Sequence, residues 1–106
     1  MDIIVKVPTK IRIGNRYYDL ILDDHIGEDW SHMGIVSHTS RDRRIVLDKH
    51  LSNLEKTETL LHEILHIIEV TFGLTIKENG LDCIAHTLTQ FLEYLGIELD
   101  FNKEIQ

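Results

Sequence analysis

Residues 52–73 read SNLEKTETLLHEILHIIEVTFG, and this stretch decides the fold of the second half of the chain. Ser52, followed three residues later by Glu55, is typical of a capping box, and Gly73 stands where a helix commonly ends in the left-handed conformation. Between these ends, leucine and isoleucine recur almost all round the helical wheel, a pattern that indicates a buried helix. We therefore predict one buried helix between Ser52 and Gly73.

A second helix is predicted from about Ile76 to Leu95, with Gly96 as its stop. Thr75 and Glu78 have the spacing of a capping box at its start. The apolar residues of this segment keep a single stripe, which predicts an amphipathic helix packed against the first one. The stripe consists of Leu81, Ile84, Ala85, Leu88, Leu92 and Leu95.

The first half of the chain alternates polar and apolar residues between turn signals, which is typical of short strands. Four strands are predicted, at residues 10–13, 17–22, 33–37 and 44–47, with a loop at 23–32 and a hairpin tip at 38–43. The fold class is therefore predicted to be α+β, with a small, mostly antiparallel sheet of three to four strands covered by two helices. At this length we expect a single domain over residues 1–106.

The composition excludes several classes of function. Eleven Lys+Arg stand against 18 Asp+Glu, a net charge of −7, so the basic face needed by nucleic acid or an anionic membrane is not expected. The single cysteine, Cys83, excludes an internal disulfide framework and a cysteine-rich zinc ribbon. No stretch has the length of a transmembrane helix or of a signal-peptide core, and the expected location is cytoplasmic.

The first helix contains His62-Glu63-Ile64-Leu65-His66, which matches the pattern HExxH. Histidines four residues apart lie about 40° apart around a helix, so both imidazoles can bind one tetrahedral metal. Glu63 lies beside them, where it can take a proton from a metal-bound water. A shuffled chain with these seven histidines contains the pattern roughly 0.04 times. Burial of such groups among leucines without partners is costly, so we predict a metal site.

The third ligand is expected on the second helix, where Glu78, Asp82 and His86 are four residues apart. On the helical wheel Glu78 lies about 80° from the apolar stripe, against about 120° for Asp82 and about 160° for His86. We therefore predict Glu78 as the ligand. Glu78 as a simple capping residue, and Asp82 or His86 as the ligand, remain alternatives, and Asp82 can also orient an imidazole. Glu69 shares the rigid helix with the histidines and is not expected to reach the metal.

Residues 59–66, TLLHEILH, together with residues 78–85, ENGLDCIA, resemble the small zincin-type metallopeptidases of phages and mobile elements. A more distant similarity is to ImmA/IrrE-type metallopeptidases, where HExxH is followed by Glu, two free positions, Ala-Asn, a free position and Phe-Ala. The ligand Glu of that pattern falls on Glu78, and its final Ala falls on Ala85. The resemblance covers about residues 33–95, with a shorter gap after HExxH. The sequence departs from the pattern at Leu81, Asp82 and Ile84.

The resemblance implies a Zn²⁺-dependent peptidase in which His62, His66 and Glu78 hold the metal. Glu63 is then the general base that acts on a metal-activated water. The implied substrate is a protein or peptide, and specifically a regulatory protein, because the reference families include repressor-cleaving members. Retention of Glu63 favours turnover, since a structural site prefers four protein ligands. The alternative is a zinc-stabilised interaction module without turnover, in keeping with so short a chain.

In zincins an edge strand aligns the substrate backbone above the active-site helix. The predicted strands at residues 33–37 and 44–47 are the two candidates for that role. No residue is assigned as the donor to the developing oxyanion, and the candidates are Tyr17, Tyr18, His38 and His86.

Overall fold

The computed structural model describes residues 2–24, 34–38 and 43–101, and for residues 34–38 the backbone alone. This part of the chain forms, in order, β1 (Ile3–Lys6), β2 (Lys10–Ile13), β3 (Arg16–Asp23), β4 (Gly34–His38), β5 (Arg43–Asp48), α1 (Asn53–Phe72), α2 (Glu78–Tyr94) and β6 (Ile97–Asp100). The predicted α+β class is confirmed. The predicted loop and hairpin tip fall largely outside the described residues. Neither of the two helices described is long and apolar enough to cross a lipid bilayer.

Four strands form a mixed sheet in the order β2-β3-β5-β4. The β2–β3 and β4–β5 pairs are antiparallel, as predicted, whereas the central β3–β5 pair is parallel. Gly14, with φ of 62°, takes the left-handed conformation that the tight β2–β3 turn requires. β5 has partners on both sides, and among the described strands β4 lies at the edge of the sheet next to it.

A second sheet contains two strands that the sequence pattern did not predict. β1 and β6 pair in parallel, with Ile3 opposite Ile97. This pairing joins segments from opposite ends of the described chain, and local periodicity carries no signal for such a contact. It places Val7 and Phe101, which follow the two strands, in the hydrophobic core.

The core lies between the four-stranded sheet and α1. Its buried residues are Val7, Tyr18, Leu20, Ile45, Leu47, Leu60, Ile67 and Phe101. α1 packs against β4 and β5, and α2 packs against α1 and β6. α1 therefore has one side on the sheet and another on α2, and it is this second side that carries the candidate site.

The ends of α1 follow the sequence prediction, and its burial is less uniform than predicted. Ser52 is the N-cap, and Gly73 is left-handed with φ of 67°. Leu60 and Ile67 are buried, whereas Phe72 is 64% exposed, because only two sides of the helix are covered. α2 begins later than predicted, with Lys77 as its N-cap, so the predicted capping box from Thr75 to Glu78 is wrong.

The capping box of α1 gives a stability prediction. Ser52 Oγ accepts the Glu55 N–H at 3.1 Å, and Glu55 Oε1 accepts the Ser52 N–H at 3.0 Å. Ser52→Ala removes the first bond and is expected to lower the free energy of unfolding by about 1 kcal/mol. Urea denaturation measures the change, with Ser52→Asp as the control, because an aspartate also caps a helix. An equal loss of stability in both variants would contradict this account of the cap.

Candidate metal centre

His62 and His66 lie one turn apart on the side of α1 that faces α2. Their Nε2 atoms are 3.1 Å apart, and the two rings meet edge to face with centroids 4.8 Å apart. Glu78, the first residue of α2, places Oε1 at 2.8 Å from His62 Nε2 and 3.6 Å from His66 Nε2. Among the described residues, these three side chains form the one cluster of His, Cys, Asp or Glu that brings three donor atoms close enough for a metal.

The spacing of these donor atoms suits a small tetrahedral cation. Ligands bonded at about 2.0–2.1 Å to a tetrahedral zinc are separated by about 3.3 Å. The observed separations of 2.8, 3.1 and 3.6 Å lie on both sides of that value. Two imidazoles and one carboxylate are also a donor set that zinc accepts when one position stays open. The residues present therefore fit the ion in distance and in chemistry.

The far nitrogen of each imidazole faces a carboxylate. His62 Nδ1 is 3.0 Å from Asp82 Oδ1, and His66 Nδ1 is 3.2 Å from Glu69 Oε1. Because an ionised carboxylate only accepts hydrogen bonds, each of these contacts is satisfied when Nδ1 is the donor. A metal held here would bind the Nε2 atom of each ring together with a Glu78 oxygen.

Glu78 and Asp82 face α1 because the buried side of α2 differs from the predicted stripe. The buried residues of α2 are Leu81, Ala85 and Thr89, whereas Ile84, Leu88 and Leu95 are exposed. The buried side is thus centred on Ala85, roughly 60° around the helix from the predicted centre and toward Glu78. Thr89 tolerates burial because its hydroxyl donates to the Ala85 carbonyl at 2.7 Å.

The other candidate residues are engaged elsewhere. His86 Nδ1 lies 2.9 Å from Glu58 Oε1, in an exposed pair between the two helices. Asp82 contacts Nδ1 of His62, the ring nitrogen that points away from the cluster. This contact corresponds to the sequence-based alternative in which Asp82 orients an imidazole. Tyr18 belongs to the hydrophobic core, and the His38 side chain lies outside the described part of the chain.

Glu63 is buried, with 7% of its surface exposed. On the helical wheel it lies between the sheet-facing residues of α1 and the two histidines. The histidine side chains are 19% and 31% exposed and that of Glu78 is 64% exposed, so the cluster opens to solvent on the Glu78 side. Low local dielectric around a buried carboxylate strengthens its interaction with a charge placed nearby.

Glu69 contacts a residue of the site in a way that was not predicted from the sequence. It does not reach the cluster, as expected, but its carboxylate contacts His66 from behind and also accepts the Ile76 N–H at 2.7 Å. The spacing of three between His66 and Glu69 was a usable signal, because residues i and i+3 are neighbours on a helix surface.

The structure thus brings His62, His66 and Glu78 together, with Glu63 on the same turn of α1 and with Asp82 and Glu69 behind the histidines. Comparison of the chain with known protein families, with curated proteins and with solved structures gives no significant match.

Proposed function

We propose that this protein is a zinc-dependent peptidase in which His62, His66 and Glu78 hold the metal. The observation that carries the proposal is the convergence of two imidazole nitrogens and a carboxylate oxygen, all within 4.8 Å of one another. A carboxylate behind each imidazole is typical of metal-binding histidines, because it fixes the tautomer and orients the ring. The HExxH pattern and the resemblance to zincin-type metallopeptidases favour the same chemistry.

Three protein ligands favour catalysis over a structural role for the metal. Structural zinc sites are closed by four protein ligands, whereas catalytic sites keep one position for water or substrate. The open side of the cluster at Glu78 suits such a position. Bound zinc supplies Lewis acidity, which polarises a carbonyl group and brings the pKa of a coordinated water down to about 7.

Glu63 is the general base in this proposal. Its carboxylate takes the proton of the attacking water and passes it to the leaving amine, so one residue serves both proton transfers of hydrolysis. Its position on the same turn as His62 keeps it close to the cluster, and its burial limits competition from bulk water.

The substrate lies along β4 in this proposal. Within the part of the chain that the structure describes, β5 is paired on both sides and β4 on one side, so β4 is the edge strand of the two named from the sequence. α1 packs against it. An extended peptide adds to such an edge through main-chain hydrogen bonds, which need no particular side chains. We therefore propose an extended protein segment as the substrate, and the resemblance to zincin-type families favours a cytoplasmic regulatory protein as its source.

A zinc-stabilised interaction module is the second candidate function, and the exposed surface of α2 favours it. Several large apolar side chains of this helix are open to solvent, and apolar surfaces of this kind mark contacts with partners. They are Ile84, Leu88, Phe91, Tyr94 and Leu95. In this alternative the metal joins α1 to α2 and no bond is hydrolysed.

A digest of a proteome-derived peptide library separates the two candidates. Zinc-loaded wild-type protein is expected to cleave library peptides, a chelator is expected to stop the cleavage, and added zinc is expected to restore it. His86→Ala is the matched control, because His86 contacts Glu58 rather than the cluster, and it should cleave as the wild type does. Wild-type protein that binds zinc and cleaves no peptide would favour the interaction module.

A further inference from the structure

We propose that Glu69 is a positioning residue that couples metal binding at His66 to the conformation of the α1–α2 connection, and thereby to the placement of Glu78. The proposal rests on the metal centre described above and does not depend on turnover. It assigns a role to Glu69, a carboxylate near the site that, like Asp82, neither binds the metal nor acts as the base in the proposed function.

Glu69 contacts both ends of the connection between the helices. Its backbone carbonyl accepts the N–H groups of Gly73 and Leu74, the latter at 3.0 Å. Its side-chain Oε2 accepts the Ile76 N–H at 2.7 Å, while Oε1 lies 3.2 Å from His66 Nδ1. One residue therefore contacts the start of the connection, its end and a proposed metal ligand.

The start of α2 depends on this anchor. Among the residues described, the N-cap Lys77 makes no side-chain capping bond. The hydrogen bond from the Ile76 N–H to Glu69 therefore holds the chain two residues before Glu78. The Glu69 side chain is only 16% exposed, which shields both of its bonds from water. A shift of Ile76 displaces the first turn of α2 and, with it, the Glu78 carboxylate.

A carboxylate is the side chain that this position requires. Both groups facing Glu69 are N–H donors, and a carboxylate has an acceptor oxygen for each of them. Glutamine has only one acceptor oxygen, so in either orientation of its amide Glu69→Gln turns an NH₂ group toward an N–H donor. Asp82 differs, because it faces a single donor on His62, and Asp82→Asn can keep that bond.

The test is zinc affinity, measured by competition with a chromophoric chelator, together with hydrogen exchange at the Ile76 amide. Glu69→Gln is expected to weaken zinc binding roughly 10- to 100-fold, the range for outer partners of metal ligands. Asp82→Asn is expected to weaken zinc binding less than Glu69→Gln does, because its amide oxygen can still accept from His62 Nδ1. Glu58→Gln should be unchanged, since it makes the same substitution at a glutamate of α1 that faces His86. Zinc is expected to slow exchange of the Ile76 amide in the wild type and to do so much less in Glu69→Gln.

Two results would overturn this proposal alone. The first is a Glu69→Gln variant that binds zinc as tightly as the wild type does. The second is hydrogen exchange at the Ile76 amide of the wild-type protein that zinc does not change. The second measurement does not require any variant to fold. Wild-type protein that binds no zinc would overturn this proposal and the metal centre together. Protein that binds zinc with the expected Glu69 effects but cleaves no peptide would support this proposal and refute only the peptidase.

Discussion

Glu63→Gln is expected to reduce kcat for peptide hydrolysis by about 10²- to 10⁴-fold while the protein keeps its zinc. Glutamine fills the same buried volume but cannot accept a proton, so the attacking water loses its base and the amine loses its acid. The proposed zinc ligands are the neighbouring His62 and His66 together with Glu78, and the substitution leaves all three in place. Steady-state kinetics on a peptide identified in the library digest, with zinc quantified in the same sample, measures both effects.

Glu58→Gln is the matched control for this prediction. Glu58 lies five residues earlier on the same helix and contacts the exposed His86, so its replacement should leave both hydrolysis and zinc unchanged. Undiminished hydrolysis by Glu63→Gln would refute Glu63 as the base. Loss of zinc from that variant would instead show that Glu63 supports the metal centre.

Glu78→Ala is expected to weaken zinc binding by more than the roughly 10- to 100-fold typical of an outer partner, because it removes one of the three proposed protein ligands. Asp82→Ala is expected to stay within that smaller range, since Asp82 contacts His62 through the nitrogen that points away from the cluster. Zinc affinities of the two variants, measured side by side by chelator competition, decide between the two carboxylates.

The two substituted positions lie one turn apart at the exposed N-terminal end of α2, so both variants share any general effect on helix stability. A loss of zinc affinity that is larger in Asp82→Ala than in Glu78→Ala would contradict the ligand assignment. Equal and small losses would leave the centre with its two histidines and no carboxylate ligand.

Features that depend on local sequence were predictable. The capping box at Ser52 and the left-handed Gly73 follow from short-range hydrogen bonding, and both ends of α1 agree with the prediction. The β2–β3 and β4–β5 pairs follow from alternation between turn signals. The spacing of His62 and His66 was enough to predict that both side chains lie on one side of the helix, because helix geometry fixes their relative direction.

Features that depend on packing between distant segments were not predictable. The β1–β6 pair joins residues 3 and 97 at its start, and nothing in either segment alone indicates the other. The orientation of α2 was misjudged because apolarity was taken to mean burial. Thr89 is buried, and its hydroxyl is satisfied by a hydrogen bond within its own helix, while Leu88 is 43% exposed. The double contact of Glu69 depends on the path of the connection, which periodicity does not describe.

The central claim is that His62, His66 and Glu78 form a zinc site, and the most direct test is the zinc bound by chelator-treated protein after equilibration with buffered zinc. We expect about one zinc per chain in the wild type and in His86→Ala, and none in His62→Ala at the same free zinc concentration. His86→Ala is the control because it removes a histidine outside the cluster. Wild-type protein that remains free of zinc, or His62→Ala protein that binds zinc as tightly as the wild type, would contradict the claim.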